Sequence, residues 1–433
     1  MSRCVCVRLF QGLLLHSHNL SSLHLFLHSL LHLLHFKHLH PSQPPPFHFT
    51  FQTTPSLFHY PFYCYHSSLR PCLQPQCFRV HKISSDFPIG VWPRTAKSTG
   101  SASATAIQLK GEDDPFANVL LPVESEPGGN YTSESYFKKV LMKSHFITKD
   151  PPEADLFFLP FSMARLWHDR RVGVGGIQDF IRDYIHNISH RYPYWNNTGG
   201  ADHFYVACHS IGRSAMDKAP DEKFNAIQVV CSSSYFLTGY FAHKDACLPQ
   251  IWPRKGNPPN LVSSKRKRLA FFAGGVNSPV RVKLLETWKN DSEIFVHHGR
   301  LKTPYADELL GSKFCLHVKG FEVNTARIGD SLYYGCVPVI IANYYDLPFA
   351  DVLNWKSFSV VVTTLDIPLL KKILKDIISS NKYLMLQSNV LKVRKHFQWH
   401  SPPQDFDAFY MVMYELWLRR SSIKNTWVDS FRV

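Results

Sequence analysis

The segment Ser312–Ile341, SKFCLHVKGFEVNTARIGDSLYYGCVPVII, constrains the fold more than any other stretch of the chain. It reads as strand, loop, helix, glycine stop and strand. KFCLHV is a short apolar run with a bulky aromatic, and KGFEVN is a polar loop ending in Asn324 and Thr325, both suited to cap a helix. ARIGDSLYY has one apolar helical face, Gly335 stands where a helix takes a left-handed residue, and VPVII is a buried strand. A unit this compact is a βαβ crossover, so its strands are parallel neighbours in a sheet covered on both faces. Ligands of such sheets bind at the carboxyl ends of strands, where Lys319, Arg327 and Asp330 gather.

Arg327 and Asp330 lie three residues apart and Tyr334 four further on, so all three share one helix face. That set suits a nucleotide sugar. Lys319, Arg327 and the helix N-terminus hold a diphosphate, while Asp330 accepts hydrogen bonds from ribose hydroxyls. On spacing alone the plainer reading, a surface Arg–Asp pair, stands first.

Other motifs shift the balance. DPPEADLFFLPF (150–161), GGADHFYVACH (199–209), LAFFAGGVNSPVR (269–281) and SKFCL (312–316) continue through GCVPVIIANYYDLPFADVLNW (335–355) and FSVVV (358–362) to HFQWHSPPQDFDAFYMVMYEL (396–416). In order and spacing these resemble the plant exostosin-like glycosyltransferases (glycosyltransferase family 47), whose members build hemicellulose, pectin and related glycans. The resemblance covers most of residues 115–420. It implies an α/β fold of GT-B type: two Rossmann-like domains facing across a cleft, behind a disordered N-terminal leader. It also implies an inverting enzyme that moves a sugar from a UDP-sugar onto a cell-wall or proteoglycan-type glycan in the Golgi. No cofactor or metal is required, because cationic side chains and helix dipoles replace the metal. Arg281 joins the donor-binding candidates, since the arginine of this turn lies near the donor cleft in the family. Other members suggest that the protein works in a glycosyltransferase complex.

Length and charge agree with this reading. The 433 residues suffice for two α/β domains with their own cores. A formal charge of +15 calls for an anionic partner, acidic polysaccharide or nucleic acid. No motif interleaves basic and aromatic residues in the manner of nucleic-acid modules, so nucleic acid is not expected. Residues 1–40 are dominated by Leu and His, with Arg3 and Arg8 ahead of a stretch from Leu9 to Phe36 that holds no charged side chain. That is the polarity of a signal anchor, although histidines interrupt it and no eighteen-residue apolar run exists. The segment is taken as a weak anchor holding a single-pass type II protein in the Golgi membrane, catalytic part luminal. Residues 41–113, rich in Pro, Ser, His and Phe, read as a low-complexity stem.

An N-terminal, acceptor-side domain is expected over 114–264 and a nucleotide-sugar domain over 265–395. Residues 396–433 form a helix bracing the first. ADLFFLPF, HFYVACH and AIQVVC are the expected strands of the first domain; LAFFAG, EIFVHH, KFCLHV, VPVII and FSVVV are those of the second. Between them, 253–268 is a Pro- and charge-rich linker whose KRKR reads as a solvated hinge. Sequons start at Asn19, Asn130, Asn187, Asn196 and Asn290, and the last four are N-glycosylation candidates in a luminal body. Of the ten cysteines, five lie in the body. Cys208 and Cys315 fall inside strands as buried thiols, and Cys231 and Cys247 are the better disulfide candidates. Asp405-Phe406-Asp407 has the form of a metal-binding DxD, yet it stands before a helix, where N-capping is the simpler role.

An inverting transferase needs a base for the acceptor hydroxyl. His209, directly after the FYVAC strand, is the candidate, against the plainer reading of a structural histidine at a strand end. The family's pattern departs here in three places. Ser210-Ile211-Gly212-Arg213 replaces an aspartate and tryptophan after the histidine, Asp330 replaces a glutamate, and Val318 replaces a proline. These departures motivate the alternative of a catalytically weak scaffolding or glycan-binding member of the same fold.

Overall fold

The computed structural model describes residues 80–82, 129, 131–148, 150–236, 239–252, 259, 261 and 265–430. The anchor-like segment, most of the stem, Asn130 and most of the interdomain linker lie outside the described residues.

Two parallel sheets define two α/β lobes. The first contains β1 (Val80–Lys82), β2 (Ile147–Thr148), β3 (Leu156–Phe158), β4 (His203–Ala207), β5 (Ile227–Val230) and β6 (Ala246–Cys247), in the order β2-β1-β3-β4-β5-β6. The second contains β7 (Arg268–Gly274), β8 (Ile294–His298), β9 (Ser312–Val318), β10 (Val337–Ile341) and β11 (Val360–Val361), in the order β11-β10-β9-β7-β8. All these pairings are parallel. In each sheet the first strand sits between the second and the third, so the strand order reverses beside it. Such reversal points leave a crevice at the strands' carboxyl ends. Strand β1 corrects the stem reading: Val80–Lys82 pairs on both sides, with β2 and with β3.

Side-chain alternation explains why the sheets are covered on both faces. Leu156, Phe158, Phe204 and Val206 point into one core, and Phe157, Tyr205 and Ala207 into another. Phe314, Leu316 and Phe272 join the first of these cores, so one apolar cluster runs through both lobes. Phe271, Ala273 and Cys315 face a smaller third core. Each fully buried phenylalanine contributes roughly 1.5–3 kcal/mol. The cover comes from amphipathic helices. In α1 (Thr132–Lys143) Phe137, Val140 and Leu141 are buried, and in α2 (Gly173–Arg191) Ile177, Phe180, Ile181, Tyr184, Ile185 and Ile188 form one apolar stripe. After β7, α3 (Pro279–Trp288) starts at Ser278, whose hydroxyl accepts from the Arg281 amide, with proline tolerated at the first position.

The central crossover forms as the spacing predicts, with one correction at its start. Helix α4 (Arg327–Tyr333) is capped by Ala326, not by Asn324 or Thr325. Thr325 accepts from the Arg327 amide at 3.3 Å, while Asn324 is turned away to donate to Gln250 of the first lobe at 2.7 Å. The helix ends in a Schellman turn: Gly335 has φ +63°, its amide donates to Leu332, and the Cys336 amide donates to Ser331.

The KRKR run is not a solvated hinge throughout. Lys265 and Lys267 are exposed, but Arg266 is buried. Its guanidinium donates to the carbonyls of Leu309 (2.8 Å), Ser312 (2.7 Å) and Tyr334 (2.6 Å), satisfying the ends of two helices and the start of β9.

The last helices are α5 (Leu370–Ser379), α6 (Lys382–Val393) and α7 (Ala408–Ser430). Asp407 caps α7, accepting from the amides of Phe409 (3.0 Å) and Tyr410 (3.3 Å), which is the capping role read for the DxD pattern. Phe409 then packs on Phe137 and Phe146 of the first lobe. Arg419 joins Asp245 of the first lobe to Asp351 of the second, through the Asp245 carbonyl at 2.9 Å and the Asp351 carboxylate at 2.7 Å.

Glu415, fully buried on the same helix, has its carboxyl pushed up to about 8 by burial, with Asp351 and Asp346 adding to the effect and Arg419 opposing it. A raised native value stabilises fully below the unfolded value near 4.5 and is lost as pH rises towards 8. Glu415→Gln removes that loss. Its melting temperature should exceed wild type by several degrees at pH 8 and by much less at pH 5, read by thermal denaturation across that range. An equal gap at both pH values would refute the buried-acid account.

Candidate functional site

The carboxyl ends of β7 and β9 flank the reversal point of the second sheet, and the donor-side candidates meet there. Arg281 comes from the first turn of α3 and is almost wholly buried. Its guanidinium donates to the Val318 carbonyl twice (3.1 and 3.0 Å), to the Gly275 carbonyl (2.9 Å) and to Asn277 Oδ1 (2.9 Å). These bonds staple the β7 loop to the end of β9. Arg327, half-buried, sends Nε and Nη2 to the Ala273 carbonyl at 3.3 and 2.7 Å. Both guanidiniums lie over the Phe272 ring, 5.5 and 5.2 Å from its centroid. Burial and the charge of Arg327 hold Arg281 down to about 10. Lys319 extends the β9–β10 ladder through its amide, which donates to Ile341, and its carbonyl accepts from Ser278 Oγ at 2.7 Å.

Two glycines make this packing possible. A Cβ on Gly274 would lie 2.3 Å from Arg327 Nη2, and one on Gly320 would lie 2.9 Å from Arg281 Nη2. Beneath them His317 is fully buried, bonded to the Val323 carbonyl (2.9 Å) and Thr325 Oγ1 (3.0 Å). Burial first, then the charges of Arg327 and Arg281, push it down to about 3, so it stays neutral. Asp330 is buried on α4, while the Arg327 guanidinium is aimed at Ala273 across the sheet.

The first lobe touches the loop after β9 directly. His209 follows β4, half-buried, with its ring between Tyr131 (4.2 Å) and Trp167 (4.3 Å). Nδ1 accepts from the Ile211 amide at 3.2 Å, so the neutral ring carries its proton on Nε2. Burial, with His168 nearby, lowers its basicity. Glu322, on the loop after β9, accepts from Ser232 Oγ of the first lobe at 2.5 Å, and its charge acts on Tyr131. Glu322, Tyr131 and Trp167 were not singled out from the sequence. Glu322 read there only as one polar residue of the loop KGFEVN, and no pattern joined it to positions some ninety and two hundred residues earlier.

Two disulfides correct the cysteine reading. Cys208 pairs with Cys231 and Cys315 with Cys336, while Cys247 stays a buried thiol accepting from Ser233 Oγ at 2.7 Å. Register decides this. Ala207 faces Val230 in the β4–β5 ladder, so the next residues, Cys208 and Cys231, are neighbours with Cα atoms 4.6 Å apart. Val230 faces Cys247, which leaves Cys231 out of step with it. The first disulfide therefore clamps His209 to Ser232. Among the described residues no group of three or more His, Cys, Asp or Glu side chains is placed to hold a metal ion. Of the sequons, Asn196 and Asn290 are exposed, and Asn187 is half-buried within α2.

Residues 110–377 match the family model of the exostosin GT47 domain. The chain belongs to the exostosin GT47 family. A probable glycosyltransferase of Arabidopsis thaliana is 42% identical over 300 residues, covering 67% of this chain and 58% of that one. A second is 39% identical over 296 residues, covering 66% and 61%. This exostosin-family chain thus spans about three-fifths of the length of these curated relatives. A probable beta-1,4-xylosyltransferase of Arabidopsis thaliana is 27% identical over 307 residues, covering 65% of this chain and 74% of that one. Among solved structures, Anabaena HepE in complex with UDP-glucose aligns over 71% of this chain and 98% of its own, at 11% identity and a TM-score of 0.35. No helix among the described residues is long and apolar enough to cross a membrane.

Proposed function

We propose that this exostosin-family protein is a UDP-sugar-dependent inverting glycosyltransferase of GT-B type that extends a cell-wall glycan. One observation carries the proposal: Arg281, Arg327 and Lys319 converge at the reversal point of the second sheet. Each of the two arginines is held by carbonyls or an amide oxygen, with no carboxylate among those partners. Clustered cations without an anionic partner suit a diphosphate. Arg281 is already committed to the two loops and supplies field and shape. Arg327, half-exposed, supplies donors to the phosphates, with Lys319 beside it. Asp330 is retained as the ribose contact. That contact requires the buried carboxylate to be reached from the cleft.

In the transfer, the acceptor hydroxyl attacks the anomeric carbon as the bond to the diphosphate oxygen breaks, and the cations take up the charge that develops on the leaving group. The hydroxyl proton goes to a first-lobe or loop base. His209 takes it on Nε2 only if the Ile211 amide contact is released and the ring proton moves to Nδ1. As placed, His209 donates from Nε2 and orients the hydroxyl, and Glu322 is the carboxylate on the facing loop. Two disulfides in the body support a luminal, oxidising compartment such as the Golgi. A type II anchor in the leader and a partner transferase belong to the same reading.

A thermal-shift titration of the purified protein tests it. UDP should raise the melting temperature, one UDP-sugar should raise it further, and GDP should do less. Cooperative melting with no shift from any uridine nucleotide would remove the donor site. Tight UDP binding without transfer would favour the scaffolding alternative.

A further inference from the structure

Beyond the carboxyl ends of β5 and β10 the two lobes are sewn together by a short seam. Ser234 and Tyr345 form an isolated antiparallel bridge, the Tyr235 amide donates to the Tyr344 carbonyl at 3.0 Å, and the Asp346 amide donates to the Ser233 carbonyl at 3.1 Å. The hydroxyls of Tyr235 and Tyr240 both donate to the Asp346 carboxylate, at 2.6 and 2.5 Å. This seam is closely hydrogen-bonded, yet it presents aromatic faces to solvent. Phe236 is 78% exposed and Tyr344 62%, and their rings stack across the lobe boundary with centroids 5.5 Å apart. Tyr235 beside them is 59% exposed.

Tyr344 has φ +63°, a left-handed conformation that disfavours a large side chain and that glycine adopts freely. Apart from its stacking on Phe236, this bulky ring stands open to solvent. Backbone strain of this kind clusters at active sites and ligand clamps. The seam also runs straight into the candidate site. Ser232, at its first-lobe end, bonds Glu322, and the adjacent Phe321 is 75% exposed on the turn that Gly320 makes over Arg281.

We infer that Phe236 and Tyr344 form a glycan-binding platform on which pyranose rings of the acceptor chain stack. The inference rests on the transferase reading and names a subsite for its acceptor. The chemistry of the patch selects a sugar. It consists of rings, not aliphatic side chains, so it offers flat π-faces to the C–H face of a pyranose and leaves the sugar's edge hydroxyls to water and to polar neighbours. Pinning of Tyr235 through Asp346 keeps the platform ordered before the glycan arrives, which lowers the cost of binding.

The test is binding of the full chain to a printed array of plant cell-wall oligosaccharides, followed by calorimetric titration of the strongest ligand. Phe236→Ala and Tyr344→Gly are compared with wild type, and the UDP-induced melting shift is read for each. Tyr344→Gly relieves the left-handed strain, so a merely structural role predicts unchanged or greater stability and unchanged glycan binding. The platform predicts glycan affinity lower by about tenfold in either variant, with the UDP shift intact. Wild type that binds no glycan on the array, variants that bind as wild type does, or variants that lose the UDP shift as well would each overturn it. Loss of glycan binding beside a normal UDP shift in wild type leaves the donor site standing, whereas absence of the UDP shift in wild type refutes that site instead.

Discussion

Arg327→Ala should weaken UDP binding by roughly ten- to a hundredfold, the equivalent of about 1.5–3 kcal/mol for a charge-assisted contact to the diphosphate. The guanidinium lies at the carboxyl end of β7 because Gly274 leaves room for it, and only part of its fork is spent on the Ala273 carbonyl. Arg327→Lys keeps the charge but loses the planar fork, so its affinity should fall between the two. Calorimetric titration of UDP measures both variants. Unchanged affinity in a folded Arg327→Ala protein would sink the assignment of this residue to the donor.

Removing the Cys208–Cys231 disulfide should have the largest effect on stability. The bond closes a loop of 23 residues, and the chain-entropy argument assigns such a loop about 3 kcal/mol. The double Cys208→Ser, Cys231→Ser variant is therefore expected to melt several degrees lower than wild type under non-reducing conditions. Identical melting curves would show that the pair is not formed in the native protein. Because the bond joins the residues before His209 and Ser232, the variant also releases His209 from Ser232, the residue that bonds Glu322.

Strands β3, β4, β5 and β7 to β11 were legible because each lies in a compact apolar run bounded by turn residues. The helix after Ser278 and the glycine stop at Gly335 were legible for the same reason: their signals are local. What was hidden depends on register and on distance. Strands β2 and β6 are two residues each and carry no period, and β1 lies inside a stretch whose composition resembles a linker. Cysteine pairing followed from which residues face each other across β4 and β5, a fact that spacing does not contain. Arg266 looked like one of four solvated charges until the carbonyls of Leu309, Ser312 and Tyr334 were seen to surround it. At the site, Arg281, Lys319 and Arg327 were named from the sequence, but the division of labour between Arg281 and Arg327 needed their bonding partners. Glu322 became visible only through Ser232 and Tyr131.

The apolar cluster that passes without a break from Phe158 and Phe204 to Phe272 and Leu316 has a mechanical consequence. Lobes that meet only through a linker and a wet cleft move as separate bodies. These two are fused below the cleft, and α7 and the Tyr344–Asp346 seam tie them again at its edge. Opening the cleft by swinging one lobe from the other would tear that core, at the expense of many buried side chains. Motion at the candidate site is therefore left to the short segments around Gly274–Ser278, Lys319–Glu322 and His209, against a frame held by that core.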